Sequence, residues 1–260
     1  MEFVRPVDFD GSPVSLPGGY QGQFLYHGES CSVIATRVPP GVAGPPNHVH
    51  PAGDQLYFVT QGETTIKLGS ETRRVGRSSL IFIPSGVPHH NWNEGRDTEV
   101  HLEVIAPGTL PTRPIVEPTE SDDARGLGYY VREADPSKFG GTGFAQDWLL
   151  DRESGGRHMG LYVAEVPAGA AGPPLHYHRF DQFYFVLSGA LHVQIGLTVS
   201  EVGPDHLVVL PAGVPHRQWN GGTVAERHLA ILAPLPEHPN SPEQPWDVAV
   251  TLEAADEVIA

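Results

Sequence analysis

Six histidines, arranged in two similar clusters, are the residues of this sequence best suited to chemistry. In each cluster a His-x-His pair is followed further along the chain by a third histidine, which comes directly after a Pro-x-Gly turn. Residues i and i+2 of a strand point to the same face, so both imidazoles of a pair can reach one point. The turn can bring the third histidine back alongside them. The clusters are His48, His50 and His89, and His176, His178 and His216.

Three converging imidazoles are ligands suited to a borderline divalent cation. The sequence therefore predicts one divalent transition metal (iron, nickel, manganese, copper or zinc) in each half of the chain. A glutamine follows each His-x-His pair, at Gln55 and at Gln182. Each glutamine is predicted to be a fourth ligand through its carbonyl oxygen. Alternatively, it hydrogen-bonds a substrate or a bound water, or the metal site has decayed.

The two clusters belong to a tandem repeat that extends over most of the chain. VPPGVAGPPNHVH, which ends at His50, matches VPAGAAGPPLHYH, which ends at His178. Further along, DQLYFVTQG matches DQFYFVLSG, LIFIPSGVPHHNWN matches LVVLPAGVPHRQWN, and EVHLEVIAP matches ERHLAILAP. Four blocks in the same order indicate an internal duplication.

The repeated blocks have the pattern of short β-strands. They are rich in β-branched and aromatic residues and end at Gly, Pro or Asn, and the chain contains 30 glycines and 26 prolines. This pattern predicts an all-β protein with two tandem jelly-roll barrels. We expect an N-terminal barrel over 1–107, a proline-rich linker over 108–128, and a C-terminal barrel with a tail over 129–260.

Charge and composition exclude several classes of partner. The chain has 31 acidic and 16 basic residues and a net charge of −15, so it repels nucleic acids and anionic membranes. Its one cysteine, Cys31, cannot form an internal disulfide. The first residues do not resemble a signal peptide, and no apolar run is long enough to span a membrane. These features predict a cytoplasmic protein that binds a small molecule.

The histidines and the turns around them resemble the two motifs of the cupin family. The first cupin motif contains His-x-His, a glutamate and a glycine, and the second contains Pro-x-Gly, a histidine and an asparagine. The first half of the chain supplies His48, His50, Gly62, Pro84, Gly86, His89 and Asn93. The second half supplies His176, His178, Gly189, Pro211, Gly213, His216 and Asn220. The chain therefore resembles a bicupin, with two tandem double-stranded β-helix barrels over roughly 20–107 and 145–234.

This resemblance implies a metal-dependent dioxygenase similar to the quercetinase-type bicupins, with O2 as co-substrate. The chain departs from the family at the motif glutamate, which is replaced by Gln55 and Gln182. An amide cannot accept a proton at neutral pH, so the substrate must ionise by another route. With neutral ligands only, the metal keeps its full charge and favours a phenolate or an enolate. Both glutamines are predicted to serve catalysis.

Two other functions remain open at this point. One is a non-redox metal enzyme, such as an isomerase, lyase or hydratase that acts on a small metabolite. The other is a binding or storage protein, because seed-globulin bicupins share the architecture. Strict oxygen dependence would separate the first of these from a dioxygenase.

Strand alternation predicts where the neighbouring side chains point. Tyr57 and Tyr184 should face inward with the glutamines, whereas His101 and His228 should point outward and bind no metal. The outward faces that carry Phe58 and Phe185 should be buried between barrels or between subunits. A homodimer is therefore a further expectation.

Overall fold

The chain consists of short β-strands joined by turns. The structure is a computed structural model that describes residues 2–11, 13–108, 113–114 (backbone only), 128–238 and 240–251. Within these residues the helical elements are short 3-10 turns, such as Pro17–Gly19 and Pro136–Lys138. The all-β fold class is therefore confirmed. In the described part of the chain, no helix has the length and apolar character needed to span a membrane.

The first barrel is formed by two antiparallel sheets. In spatial order the larger sheet contains β13 (Tyr130–Glu133), β9 (Ser79–Ile83), β6 (Asp54–Gln61), β11 (Glu99–Ala106), β4 (Ser32–Val38), β3 (Tyr20–His27) and β2 (Val14–Leu16). The smaller contains β12 (Arg113–Pro114), β5 (His48–Val49), β10 (His89–Trp92), β7 (Glu63–Leu68) and β8 (Glu71–Gly76). Both sheets contribute to one buried apolar cluster that includes Tyr57, Ile66 and Ile81.

The second barrel repeats this arrangement. In spatial order its larger sheet contains β1 (Val4–Pro6), β20 (His206–Leu210), β17 (Asp181–Ser188), β22 (Glu226–Ala233), β15 (Gly160–Val166) and β14 (Ala145–Leu150). Its smaller sheet contains β19 (Thr198–Val202), β18 (Leu191–Ile195), β21 (His216–Trp219), β16 (His176–Tyr177) and β23 (Val248–Ala249). Tyr184, Val193 and Leu210 pack together between the two sheets.

The two barrels exchange edge strands. The N-terminal strand β1 pairs with β20 of the second barrel, with Val4 opposite Val208. Strand β13 pairs with β9 of the first barrel, with Tyr130 opposite Phe82. Strand β1 therefore belongs to the second barrel although it lies before residue 107, and β13 belongs to the first barrel although it lies after residue 129. The expected domain limits themselves stay a prediction. Most of the linker expected at 108–128 lies outside the described residues.

The outward faces of the two larger sheets are packed against each other. Phe58 and Phe82 of the first barrel and Phe183 and Phe185 of the second belong to one buried cluster, which we call the inter-barrel core. Full burial of such a side chain stabilises the folded state by about 1.5–3 kcal/mol. The sheet faces that carry Phe58 and Phe185 are therefore covered within one chain. The homodimer and the cytoplasmic location stay predictions.

The expected orientation of β11 and β22 is wrong. Leu102 and Val104 belong to the inter-barrel core, whereas His101 is buried on the other face with its ring 4.7 Å from that of Tyr57. His228 lies likewise 4.5 Å from Tyr184. Both faces of these strands are buried, so the alternation of polar and apolar residues does not identify the barrel interior. Among the residues that the structure describes, neither histidine belongs to a cluster that could hold a metal.

Candidate metal centres

The first histidine cluster is assembled by strands β5 and β10. His48 pairs directly opposite His89 in the sheet, and their ring centroids are 4.2 Å apart. His50 follows β5, and its carbonyl oxygen accepts a hydrogen bond of 2.8 Å from the backbone N–H of Gly86. This contact ties the predicted Pro-x-Gly turn to the His-x-His segment. The potential ligand atoms of the three histidines lie within 4.8 Å of one another, close enough to serve one ion.

The second cluster has the same construction. His176 pairs with His216, and the carbonyl oxygen of His178 accepts a 2.8 Å hydrogen bond from Gly213. The loop that leads to His176 approaches β21 closely at Gly172, where φ is +69° and a Cβ would lie 1.7 Å from the carbonyl oxygen of Gln218. Only glycine fits there. The potential ligand atoms of this cluster also lie within 4.8 Å of one another.

Backbone carbonyls orient four of the six imidazoles. Each of the four forms a hydrogen bond of 2.8–2.9 Å between its Nδ1 and the carbonyl oxygen two residues earlier. The pairs are His48 with Pro46, His89 with Val87, His176 with Pro174, and His216 with Val214. A carbonyl accepts only, so Nδ1 carries the proton and Nε2 keeps the lone pair that binds a metal.

The surroundings of the Nε2 atoms indicate whether these residues fit a metal. Nε2 of His89 and Nε2 of His216 are buried, and neither has a hydrogen-bond partner among the described residues. A buried polar atom without a partner is costly, and a metal bond would remove that cost. Both triads therefore fit a divalent metal, as the sequence predicts.

Burial favours the neutral form of four of these histidines, which is the form that binds metals. Desolvation lowers the pKa of His48, His89 and His176, and it lowers the pKa of His216 to about 4. At neutral pH these imidazoles need not lose a proton before they bind an ion.

Gln55 is held by a carboxylate that the sequence analysis did not identify. Its Nε2 donates a hydrogen bond of 2.5 Å to Oε1 of Glu103, which lies on the adjacent strand β11. Its Oε1 is buried and has no hydrogen-bond partner among the described residues. Glu103 therefore fixes the amide by its nitrogen and leaves the carbonyl oxygen as the atom available to a ligand.

Gln182 is held through the oxygen of its amide, whereas Gln55 is held through the nitrogen. Its Oε1 accepts a 3.0 Å hydrogen bond from the hydroxyl of Tyr184. Burial raises the pKa of Tyr184, so this hydroxyl stays protonated and remains a donor. The two glutamines occupy matching positions in the repeat, yet their amide oxygens are not equally available. The assignment of both as metal ligands and as catalytic residues stays a prediction.

We expect Glu103→Ala to weaken metal binding in the first barrel only. Loss of a group that orients a ligand typically lowers metal affinity about 10- to 100-fold. Ala230 occupies the matching register in the second barrel, opposite Tyr184 as Glu103 is opposite Tyr57, so alanine is compatible with this position. Competition with a chelating dye would measure both affinities. An unchanged first-site affinity would show that the amide of Gln55, as held by Glu103, does not contribute to metal binding.

The second triad faces a large cavity. Its volume is about 840 Å³, and His176, His178, Gln182 and Gln218 are among its lining residues. Six aromatic side chains also line it: Phe144, Trp148, Tyr162, Phe180, Tyr184 and Trp246. The cavity is large enough for a small organic molecule and places it beside the candidate metal site.

Asp247 is a further residue of this cavity that sequence reasoning missed. Its Oδ1 lies 2.9 Å from Nε2 of His178, and this hydrogen bond lowers the pKa of the carboxyl group. Asp247 precedes β23 in the irregular C-terminal segment, outside the repeat. No motif marks it, and only the pairing of β23 with β16 brings it to the triad.

Buried Glu–His pairs recur in both barrels. Nδ1 of His101 lies 2.8 Å from a carboxylate oxygen of Glu99, and Nδ1 of His228 lies 2.9 Å from one of Glu226. Burial alone would lower the pKa of His101, but the Glu99 carboxylate raises it overall. These pairs satisfy polar groups inside the barrels and are not part of the triads.

Comparison with known proteins identifies one family model. The cupin domain model matches the chain twice, over residues 35–106 and 162–231. Among curated proteins, the chain is 39% identical over 56 residues to an uncharacterized protein of Streptomyces coelicolor, covering 22% of this chain and 52% of that one. It is 31% identical over 108 residues to a putative germin-like protein of Oryza sativa subsp. japonica, covering 38% and 49%. The chain thus spans about half the length of these relatives.

Solved structures share the arrangement of both barrels. The putative glyoxylate-induced protein of Pseudomonas aeruginosa superposes with a TM-score of 0.70 at 16% identity, covering 93% of each chain. Salicylate 1,2-dioxygenase of Pseudaminobacter salicylatoxidans gives a TM-score of 0.64 at 13% identity, covering 79% of this chain and 71% of that one. Likeness at these identities establishes the fold.

Proposed function

This chain belongs to the cupin family and carries the family's domain twice, and on that premise we propose that it is a metal-dependent dioxygenase with its catalytic site in the second barrel. The observation that carries the proposal is the 840 Å³ cavity, which places a histidine triad beside a space lined by aromatic residues. The likeness to a salicylate dioxygenase supports the reaction class by analogy of fold only.

The lining of the cavity favours a phenol or an enol without a carboxylate group. Asp151, Glu153 and Asp247 bring negative charge to it. Arg152 is the one Lys or Arg side chain among the described lining residues, and it donates a 2.7 Å hydrogen bond to the carbonyl oxygen of Pro236. A substrate carboxylate would therefore meet three acidic groups and a single guanidinium, which already donates to a backbone carbonyl.

Different residues of the second barrel would bind the metal, bind the substrate ring and orient the substrate. His176, His178 and His216 would hold the metal, which when bound supplies Lewis-acid activation of a substrate oxygen, and redox chemistry if it is iron or copper. The aromatic walls would bind a planar ring and exclude water from it. Gln182 is fixed by Tyr184 and would define one edge of the substrate pocket.

Oxygen uptake tests the proposal directly. Protein purified without oxygen and reconstituted with each candidate metal should consume O2 with catechols, flavonols or β-diketones, and less with their carboxylated analogues. Metal-free protein is the matched control. Equal product formation with and without oxygen would contradict the proposal and support the non-redox isomerase, lyase or hydratase. No turnover of any phenol or enol by metal-loaded protein would also count against it.

A further inference from the structure

The C-terminal segment brings a carboxylate to the second triad. Strand β23 pairs with β16, with Val248 opposite Tyr177, and this register places Asp247 next to His178. The carboxylate oxygen of Asp247 lies 2.9 Å from Nε2 of His178. Asp247 is half exposed, whereas the His178 side chain is 5% exposed, so the contact joins the rim of the cavity to its interior.

Aromatic packing anchors this segment. The ring of His178 stacks on Phe180, with centroids 4.7 Å apart and an interplanar angle of 4°. Trp246 packs edge-on against Phe180 at 5.9 Å and against Trp148 at 6.1 Å. Asp247 is therefore held in place on both sides, by the paired strand that follows it and by Trp246 before it.

The hydrogen bond to Asp247 determines the tautomer of His178. A carboxylate accepts only, so Nε2 of His178 must be the nitrogen that carries the proton. In the neutral ring, which is the form that binds a metal, Nδ1 is then the atom with the lone pair. It is buried and has no hydrogen-bond partner among the described residues. His176 and His216 have the opposite arrangement, because their Nδ1 atoms are bonded to backbone carbonyls.

From these contacts we infer that Asp247 is a positioning residue of the second metal site, where it selects Nδ1 of His178 as the metal ligand. The inference rests on the metal site of the proposed function. Asp247 also supplies the negative charge that the motif position lacks, since Gln182 is neutral. A carboxylate hydrogen-bonded to the far nitrogen of a ligating imidazole makes that imidazole a stronger ligand.

Nitrogen NMR of the zinc-loaded full chain tests the choice of ligand atom. Long-range proton–nitrogen correlations distinguish Nδ1 from Nε2 in each ring, and spectra of His178→Gln, His176→Gln and His216→Gln assign the signals. We expect zinc on Nδ1 and a proton on Nε2 for His178, and the reverse for His176 and His216. Zinc on Nε2 of His178 would overturn the inference.

Metal affinity of variants tests the role of Asp247 without any activity assay. Asp247→Asn should lower the zinc affinity of the second site about 10- to 100-fold and leave the first site unchanged. Asp247→Glu should restore part of the loss. Glu243→Gln, which removes an exposed charge from the same segment, should change neither site.

The outcomes separate this inference from the proposed function. An unchanged second-site affinity in Asp247→Asn would overturn the inference and leave the dioxygenase proposal standing. A protein that binds zinc as expected but consumes no oxygen with any reconstituted metal would overturn the proposed function and leave the role of Asp247 intact. Failure of the second barrel to bind zinc or any other candidate metal would overturn both.

Discussion

Replacement of His216 by alanine is expected to abolish oxygen consumption, whereas His89→Ala is expected to preserve most of it. The two histidines are equivalent in the repeat, and each is buried with Nε2 available to a metal. They differ in surroundings, because the large aromatic cavity adjoins the second triad. Loss of a ligand should weaken metal binding by more than the roughly 100-fold that follows loss of an orienting group.

Oxygen uptake per chain, measured together with metal content, checks this expectation. Circular dichroism and thermal unfolding of both variants control for damage to the fold. If His89→Ala loses as much activity as His216→Ala while its second site still holds metal, catalysis is not confined to the second barrel. The first barrel would then be a working site as well.

Phe185→Ala is expected to lower the free energy of unfolding by about 3–5 kcal/mol, the usual cost of removing a buried phenylalanine side chain. Phe185 is 2% exposed and lies in the inter-barrel core with Phe58 and Phe183. Because this core takes residues from both barrels, and because β1 and β13 cross between them, the barrels should unfold in a single transition.

Denaturant unfolding followed by two probes, such as tryptophan fluorescence and far-ultraviolet circular dichroism, measures this effect. Phe24→Ala is the matched control, because Phe24 is 50% exposed and such surface changes usually stay within about 0.5 kcal/mol. Two separated transitions in the wild-type chain, or a loss below about 1 kcal/mol for Phe185→Ala, would contradict a shared core.

The repeat and its histidines made much of this structure predictable from the sequence. The His-x-His pairs and the Pro-x-Gly turns indicated two triads, and the structure brings both together. Alternation along β6 placed Tyr57 inside the first barrel and Phe58 outside it, as observed. These features depend on local spacing, which a sequence displays directly.

The remaining features depend on contacts between distant segments. Leu102 and His101 are both buried, so polarity could not distinguish the barrel interior from the inter-barrel core. Asp247 reaches His178 only through the pairing of β23 with β16, which no local pattern signals. The different orientations of Gln55 and Gln182 likewise depend on partners from other positions, since Glu103 in one barrel is replaced by Ala230 in the other.

The most direct test of two histidine metal sites is the metal content of the protein purified without oxygen and reconstituted with a divalent transition metal. We expect about two ions per chain in the wild type, about one in His50→Ala and in His178→Ala, and none in the double variant. Each ion should be lost with its own triad. A wild-type chain that binds no divalent metal after reconstitution would contradict the account and leave a binding protein with a cupin fold.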